Sequence, residues 1–488
     1  MAGWRLLLVL AVLALLLLAA VLAINTARLG SRQIAVAPLP ALTMDLEAAA
    51  QRLAAAVRIK TISYDDRRSA GSAFTDLHEL LARSFPKTHR VLQRELINGA
   101  SLLYTWRGSD AALPPLLLMA HQDVVPVAPG TERDWQQEAF GGQIAAGFVW
   151  GRGAWDDKGS IFSIMEAVEM LAGRGLQPKR TIYLAFGHDE EIGGWQGARA
   201  IAALLKARGV RLDFVLDEGL LVTEGVLPGL APPVAVIGVA EKGHLTLDLS
   251  TEATPGHSSM PPDRTAIGSM SLALARLEQR QMPAEVRGAT RQMFETLAPE
   301  YSGANRIFLS NLWLFEPLVR RQLAAQPSVR ALLHTTTALT TVHAGEKENV
   351  LPGRAAAKVN FRLLPGDSLQ QVIAHSLAAI ADDKIHVAAS AMSWEASRVS
   401  STGSEAYRRL ARTIREAFPG AIVAPGLMVG ATDSRHFADI AEQTYRFTPV
   451  RATAEDLLRF HGSNERISLV NYAEMIRFYG RLLEQSAF

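Results

Sequence analysis

The sequence predicts an α/β fold in which a mostly parallel sheet with helices on both faces is interrupted by an inserted two-layer α+β domain and preceded by a membrane helix. Apolar strands alternate with amphipathic helices after residue 45, an order typical of parallel sheets. Near residue 240 the apolar residues change to a period of two. We therefore divide the chain into five segments: the N-terminal helix 1–24, a tether 25–45, the first part of the sheet domain 46–239, the inserted domain 240–397 and the second part of the sheet domain 398–488.

The N-terminal run from Leu6 to Ile24, LLLVLAVLALLLLAAVLAI, contains no charged residue. Because a helix rises about 1.5 Å per residue, this run can cross a hydrocarbon core of about 30 Å. It is longer than the apolar core of a signal peptide, which has about 7–15 residues, although Val21-Leu22-Ala23 resembles a cleavage site. We expect an uncleaved anchor that holds the rest of the chain outside the cytoplasm, whereas cleavage would give a secreted protein. Prolines and the lack of helical periodicity indicate a tether over 25–45.

Three apolar stretches are expected to form buried strands of the sheet domain: LPPLLLMAHQD, TIYLAFGHDE and LDFVLDEG. The segments between them, KGSIFSIMEAVEMLAGRG and WQGARAIAALLKARG, carry apolar residues at helical spacing. Helical connections between successive strands favour a parallel sheet. The same domain resumes at STGSEAYRRLARTIREAF and runs to the C-terminus.

The inserted domain begins with HLTLDLST, in which polar and apolar residues alternate as in a sheet with one solvated face. Asp263 is the expected N-cap of the helix that follows, RTAIGSMSLALARLEQR. AAAKVNFRLLPG and IHVAASAMSW predict two further strands, and SLQQVIAHSLAAIADD predicts the helix between them. Strands and helices in this order indicate two layers.

The composition excludes several kinds of site. The formal net charge is +2 and the basic residues are spread along the chain, so we expect no binding of nucleic acid. The chain has no cysteine, which excludes disulfides, thiolate metal sites and a cysteine nucleophile. A metal site would therefore have to be built from His, Asp and Glu.

Side chains that bind metals follow all three predicted strands of the sheet domain. They occur in the groups His121-Gln122-Asp123, His188-Asp189-Glu190-Glu191 and Asp217-Glu218-Gly219. The turn GRGAWDDKGS adds Asp156 and Asp157. Ligands of an open parallel sheet bind outside the carboxyl ends of its strands. The sequence therefore predicts a metal site at this edge of the sheet.

The spacing within these groups indicates which side chains can face the same metal ion. Residues two apart in an extended segment share a face, so Asp123 is expected to accept a hydrogen bond from one ring nitrogen of His121 while the other nitrogen binds metal. Adjacent side chains in an extended segment point in opposite directions. Glu190 and Glu191 are therefore not expected to bind one ion together.

The motifs HQD, GRGAWDDKG, FGHDEEIGG, LDEG and FHGSNERI occur in this order along the chain. In this respect the sequence resembles the family of dinuclear-zinc peptidases and aminoacylases. NLWLFEP, TTTALTTVHAGEKENVLPG and VNFRLLPG look most similar to its carboxypeptidase S and N-fatty-acyl-amino-acid hydrolase/synthase branches. The resemblance covers almost everything after the tether.

The resemblance implies a role for each motif. His121 and Asp217 would ligate one Zn²⁺, Glu191 and His461 the other, and Asp156 would bridge the two. Mn²⁺ or Co²⁺ can substitute in sites with such ligands. The resemblance also implies that Glu190 is the general base and that His257 donates a hydrogen bond to the oxyanion. Arg362, with Asn349, would bind the carboxylate of the substrate. In dimeric members the histidine comes from the partner subunit, which implies a possible homodimer through the inserted domain.

The function expected from these features is zinc-dependent hydrolysis of an amide bond next to a free α-carboxylate. The substrate is then an N-acyl amino acid or a short peptide. The apolar stretch 311–333 is expected either to bury an acyl chain or to pack against the inserted domain or a neighbouring subunit. The alternative is a membrane-tethered protein of the same fold that binds without catalysis.

Overall fold

The computed structural model describes residues 2–41, 43–64 and 70–488. Its α-helices are α1 Ala2–Arg28, α2 Leu46–Val57, α3 Ala73–Ser84, α4 Pro86–Val91, α5 Lys158–Gly173, α6 Ala198–Ala207, α7 Ala266–Gln279, α8 Gly288–Leu297, α9 Gly303–Ser310, α10 Leu312–Leu323, α11 Pro327–Arg330, α12 Leu369–Ile380, α13 Glu405–Ala417, α14 Ala454–Leu457 and α15 Leu469–Ala487. Its strands are β1 Gln93–Ile97, β2 Ser101–Trp106, β3 Leu116–His121, β4 Gln143–Ala145, β5 Phe148–Trp150, β6 Ile182–Gly187, β7 Leu212–Thr223, β8 Val234–Glu241, β9 Gly243–Glu252, β10 Gly256–His257, β11 Thr336–Ala344, β12 Val350–Leu351, β13 Arg354–Leu363, β14 His386–Ala389, β15 Ile422–Met428, β16 Ala441–Ala452 and β17 Arg466–Ser468.

The large sheet has eight strands in the order β1-β2-β6-β3-β7-β16-β8-β15. It is mixed, because the central strands β6, β3, β7 and β16 run parallel, whereas β1 and β2 pair antiparallel at one edge. In the register of β3 and β6, His121 lies opposite Gly187. The parallel centre therefore brings the predicted strand ends to one edge of the sheet.

Helices cover both faces of this sheet, as the alternation of strands and helices predicts. Along β3, Leu116 and Leu118 belong to the apolar cluster that includes α5 and α15. Leu117 and Met119 belong to the cluster that includes α6. Successive side chains of a strand point to opposite faces, so β3 is buried on both sides.

The inserted domain has a four-stranded antiparallel sheet in the order β11-β13-β9-β14. Along β9 the residues Leu245, Leu247 and Leu249 are buried and those between them are partly exposed, which confirms the predicted period of two. The N-cap of α7 is Thr265, whose side chain accepts a hydrogen bond from the backbone N–H of Gly268. Asp263 was the wrong choice, because the helix begins at Ala266.

Helices α8 to α10 do not belong to the two-layer core of the inserted domain. Leu312 and Val319 of α10 pack in a cluster with Ile422 and Ala424 of β15, the edge strand of the large sheet. The interpretation of 240–397 as one inserted unit therefore misses a helical subdivision that covers the large sheet. This placement favours packing over acyl-chain binding for the stretch 311–333.

Helix α1 runs four residues past the predicted end, to Arg28. It contains a span of mean hydropathy 3.3, Gly3–Arg28, that is long and apolar enough to cross a membrane; a signal sequence near an N-terminus passes the same test. The segment after α1 lies along the sheet domain. There the Gln33 side chain hydrogen-bonds to the backbone of Val423, and the backbone N–H of Leu39 donates to the carbonyl of Glu416. This part of the predicted tether is therefore bound to the domain surface.

Candidate metal centre

Five side chains from separate parts of the chain converge at the carboxyl edge of the large sheet. They form two groups that share Asp156, namely His121, Asp156 and Glu218, and Asp156, Glu191 and His461, with the ligand atoms of each group within 4.8 Å of one another. One carboxylate oxygen of Asp156 lies 3.0 Å from Nε2 of His121, and the other lies 2.8 Å from Nε2 of His461. Asp156 thus presents one oxygen to each group, as a bridging ligand would.

The site is buried and strongly negative. Burial raises the pKa of Glu190 and of Glu218 well above the ordinary value, and nearby carboxylates add to the shift. Burial acts in the same direction on Asp156, but hydrogen bonds from His121 and His461 hold its pKa below the ordinary value. Hydrogen bonds to Asp156 and Glu191 raise the pKa of His461 to about 10. The carboxylates of the site thus stabilise a positive charge placed among them, such as that of a protonated histidine or a bound cation.

The donor set fits a pair of divalent metal ions. Each group combines one imidazole nitrogen with two carboxylates, ligands that zinc and similar transition metals accept. Oε1 of Glu191 is buried and accepts no hydrogen bond from the described residues. A buried carboxylate oxygen without a partner is costly, and a bound cation would satisfy it. The geometry, the negative charge and the donor atoms of the site therefore all fit bound divalent cations.

In the structure Glu218, and not the expected ligand Asp217, lies in the ligand group of His121. It is Glu218 whose Oε1 lies 3.5 Å from Nε2 of His121, whereas Asp217 accepts hydrogen bonds from the backbone N–H groups of Ser434 at 2.8 Å and Glu218 at 3.0 Å. Both residues lie in β7, where adjacent side chains face opposite ways. In the structure the side chain on the His121 side is that of Glu218, and Asp217 stays a prediction from the sequence.

Glu190 and Glu191 lie in a 3-10 turn, Glu190–Ile192, and not in the extended segment assumed from the sequence. Glu191 nevertheless joins a ligand group while Glu190 belongs to neither group. The turn closes through Gly193 and Gly194, both of which have positive φ. A Cβ on Gly194 would lie 1.8 Å from Oδ1 of Asp433, so glycine is required at this position.

Asp123 supports the site through backbone contacts more than through the His121 ring. Nδ1 of His121 lies 2.9 Å from the main-chain oxygen of Asp123 and 3.4 Å from its carboxylate, so the closer partner differs from the predicted one. The carboxylate accepts hydrogen bonds from the backbone N–H groups of Glu190 and Glu191, at 3.2 and 3.1 Å. Asp123 therefore connects the histidine to the turn that carries both glutamates.

Glu465 supports the site, a role that was not predicted from the sequence. It is fully buried and accepts hydrogen bonds from the backbone N–H groups of Gly153, Trp155 and Asp156. Its other oxygen pairs with Arg152 at 2.6 Å. Glu465 thereby holds the loop that presents Asp156. The available signal was its place in FHGSNERI, four residues after His461.

His257 and Asn349 lie together on the inserted domain, away from Arg362. His257 in β10 pairs with Val350 in β12, and the backbone N–H of Ser258 donates to the carbonyl of Asn349. Both side chains are exposed. In the described part of the chain, no hydrogen bond or ion pair joins either of them to the metal ligands. The structure therefore separates Asn349 from the arginine with which it was expected to act.

Arg362 lies in a cluster of cations and aromatic rings between the two domains. Burial and the charge of Arg435 both lower its pKa, and no carboxylate among the described residues pairs with it. The Arg435 guanidinium lies 4.7 Å above the Trp394 ring, against which His244 stacks at 4.7 Å. Arg435 also donates hydrogen bonds to the carbonyls of Thr432 and Gly193. Because Gly193 follows the Glu190–Ile192 turn, this cation cluster adjoins the metal centre.

A cavity of about 370 Å³ adjoins the same turn, since Ile192 contributes to its lining. Its apolar lining includes Ile62, Phe74, Ile192 and Trp195. Ile192 directly follows Glu191 in the turn. The turn that carries Glu191 thus borders a cavity of mixed polarity, which also exposes Asn98, His188 and Gln196, as well as the cations around Arg362.

A sequence profile of peptidase family M20/M25/M40 matches residues 117–485. The chain is 42% identical over 440 residues to an N-fatty-acyl-amino acid synthase/hydrolase of Xenopus tropicalis, covering 89% of this chain and 85% of that protein. It is 41% identical over 442 residues to a probable carboxypeptidase S-like protein of Dictyostelium discoideum, covering 90% and 85%. The fold is similar to that of an M20 family metallo-carboxypeptidase from Sulfolobus solfataricus, with a TM-score of 0.68, 19% identity and coverage of 90% of this chain and 99% of that one.

Proposed function

The chain belongs to peptidase family M20/M25/M40, and we propose that it is a dinuclear zinc hydrolase of amide bonds that lie next to a free α-carboxylate. The observation that carries this proposal is the pair of ligand groups that share Asp156 beside the carboxylate of Glu190. His121 and Glu218 would hold one ion, and Glu191 and His461 the other. Mn²⁺ or Co²⁺ would fit the same donors.

Glu190 moves the proton in this reaction. Metal ions held by these residues would supply a water of lowered pKa and a polarised carbonyl. Glu190 would take a proton from the attacking water as the water oxygen bonds to the amide carbon, and would give the proton to the amine nitrogen as the C–N bond breaks. Asp123 fixes the turn that carries Glu190 through its hydrogen bonds to the backbone. The products are a carboxylic acid and an amine.

Charge that develops on the carbonyl oxygen is stabilised by His257 of a second copy of the chain. A hydrogen-bond donor aimed at this oxygen stabilises the transition state. In one copy the ring of His257 is exposed, and its Nδ1 contacts Oγ of Ser259 at 2.8 Å. Its exposure on the inserted domain supports a role across a homodimer, with Asn349 beside it.

Arg362 and Arg435 bind the α-carboxylate of the substrate. Burial, and then repulsion from Arg435, lower the pKa of Arg362, and a carboxylate placed between the two guanidinium groups would offset that repulsion while accepting charge-assisted hydrogen bonds. Arg435 is anchored to Gly193, so a carboxylate held here would lie beside the catalytic turn. This explains why the bond cleaved would lie next to a free carboxylate.

We expect Arg362→Gln to reduce kcat/KM for an N-acyl amino acid by about 10- to 100-fold, because a hydrogen bond to a charged group is worth about 1.5–3 kcal/mol. The same variant should change kcat/KM little for the carboxamide of that substrate. Arg354→Gln, an exposed position on the same strand, is the matched control. Equal losses on the acid and on the carboxamide would show that Arg362 supports the fold and does not read the carboxylate.

The acyl group enters the cavity lined by Ile62, Phe74, Ile192 and Trp195. Apolar area removed from water contributes about 25 cal/mol per Å², so contact with these four side chains would stabilise a bound acyl chain. The similar N-fatty-acyl-amino acid synthase/hydrolase, by its name, acts on such compounds. We therefore expect the substrate to be an N-acyl amino acid.

The first test is the release of amino acid by the full-length, zinc-loaded protein in detergent. Long-chain N-acyl amino acids, N-acetyl amino acids and dipeptides are assayed in parallel, with zinc content measured on the same sample. We expect the highest kcat/KM on the long-chain compounds. Faster cleavage of dipeptides would indicate a carboxypeptidase. No release from any substrate with two zinc ions bound would contradict the enzyme and favour a non-catalytic binding protein.

The proposed location follows from α1. Its apolar span would anchor the protein in a membrane, with the metal centre outside the cytoplasm. Removal of α1 as a signal sequence would instead release a secreted enzyme.

A further inference from the structure

Helices α9 and α10 expose an apolar face beside the end of α1. We define the α9–α10 patch by four residues whose side chains are 37–58% exposed: Ile307, Trp313, Leu314 and Leu318. Three of them lie within six residues on one side of α10. An exposed apolar cluster of this kind marks an interaction surface.

The packing of α10 does not require this face. Its opposite side buries Leu312 and Val319 in the cluster that covers β15. Phe308 of α9 and Phe315 of α10 join the two helices, with ring centroids 4.9 Å apart. A helix that is apolar on both sides has a second apolar surface to cover, and that surface is the patch.

The end of α1 is fixed next to the patch by Asn311, which is fully buried. Its side-chain amide donates hydrogen bonds to the carbonyl of Leu22 and to Oγ1 of Thr26, and its Oδ1 accepts one from the Asn25 amide. Oδ1 of Asn311 also accepts a hydrogen bond from the Trp313 indole at 3.3 Å. The patch therefore begins where α1 leaves the folded domain.

The level of the patch relative to a bilayer follows from this contact. The stretch Leu6–Leu22 spans about 25 Å at about 1.5 Å per residue, close to a hydrocarbon core of about 30 Å. The boundary between hydrocarbon and water then falls near the residues that contact Asn311. Tryptophan is enriched at this boundary, and Trp313 lies two residues from Asn311.

We infer that the α9–α10 patch inserts into the interfacial layer of the membrane that α1 enters, so that the domain lies on the lipid surface and is not suspended from a tether. The inference rests on the proposed retention of α1 as an anchor. Arg28 and Arg32 are exposed and follow closely, in the chain, the residues of α1 that contact Asn311. Their charges suit the anionic headgroups of a lipid surface.

The chain has no cysteine, so single cysteines can be labelled without other changes. Four full-length variants, Leu10→Cys, Trp313→Cys, Leu318→Cys and Val470→Cys, are labelled with an environment-sensitive fluorophore. They are reconstituted in vesicles of equal parts phosphatidylcholine and phosphatidylglycerol, with or without bromine on the acyl chains. Val470 is the matched control, because it is 68% exposed and apolar but lies on α15.

We expect bromine to quench the labels at 10, 313 and 318, and a blue shift at these positions, with neither change at 470. Quenching at 10 without quenching at 313 or 318 would overturn the inference and leave the anchor intact. Absence of quenching at all positions would overturn both the inference and the proposed role of α1 as a membrane anchor. A label at 313 that is blue-shifted but not quenched would mean that protein, such as a second copy of the chain, covers the patch, and would also overturn the inference.

Discussion

Glu190→Gln is expected to lower kcat by about 10²- to 10⁴-fold, the usual contribution of a general base. Glutamine keeps the shape of glutamate but does not take up a proton at neutral pH. Glu190 belongs to neither ligand group, so the variant should still bind two metal ions. The measurement is kcat for an N-acyl amino acid together with the metal content per chain.

Glu191→Gln is the matched comparison, since it makes the same chemical change one residue further along the turn. Glu191 is a member of a ligand group, so this variant should lose metal as well as activity. Loss of metal in Glu190→Gln would show that Glu190 is a ligand. A kcat within about tenfold of the parent with both ions bound would exclude Glu190 as the base, because a base contributes at least about 10²-fold.

The sheet and the location of the site could be predicted because their signals are local. The strand ending at His121 and the strand before His188 are continuous apolar runs, and in a parallel sheet their ends must meet at one edge. The register of His121 opposite Gly187 is the structural result of that pattern. The resemblance carried by the order of the motifs then implied that His461, although distant in sequence, belongs to the same site at the edge of the sheet.

The features that the sequence did not predict depend on distant contacts. Glu465 is recognisable as a support of the Asp156 loop only once the folded chain brings Gly153 and Trp155 to its carboxylate. Likewise, Arg435 comes close to Arg362 only because the sheet domain packs against the inserted domain in the folded chain. A composition rich in apolar residues predicted that the stretch 311–333 is buried or bound, but not that one side of it covers β15.

The choice between Asp217 and Glu218 depends on a distant contact too, and it gives the second prediction. Side chains of adjacent strand residues face opposite ways, but the sequence does not say which acid faces the histidine. In the structure the backbone N–H of Ser434 donates a hydrogen bond to Asp217. Glu218 is thereby left on the side of His121.

We expect Glu218→Gln to lower the affinity for one of the two metal ions by at least about 100-fold. Loss even of a residue that only orients a ligand costs about 10- to 100-fold in metal affinity. Activity should fall with occupancy of that ion. The measurement is metal content per chain across a chelator titration, with kcat at each point. Retention of both ions at the parental affinity would remove Glu218 from the ligand set.

Asp217→Asn should behave differently, because Asp217 accepts a backbone hydrogen bond on each of its carboxylate oxygens. Asparagine has only one acceptor oxygen, so one buried N–H loses its partner at a cost of about 1–3 kcal/mol. The expected result is a lower Tm with two metal ions still bound. If Asp217→Asn instead lost an ion while Glu218→Gln kept both, the expectation from the sequence would be right. The two variants together therefore decide which acid holds the metal, because only Glu218→Gln is predicted to lose an ion.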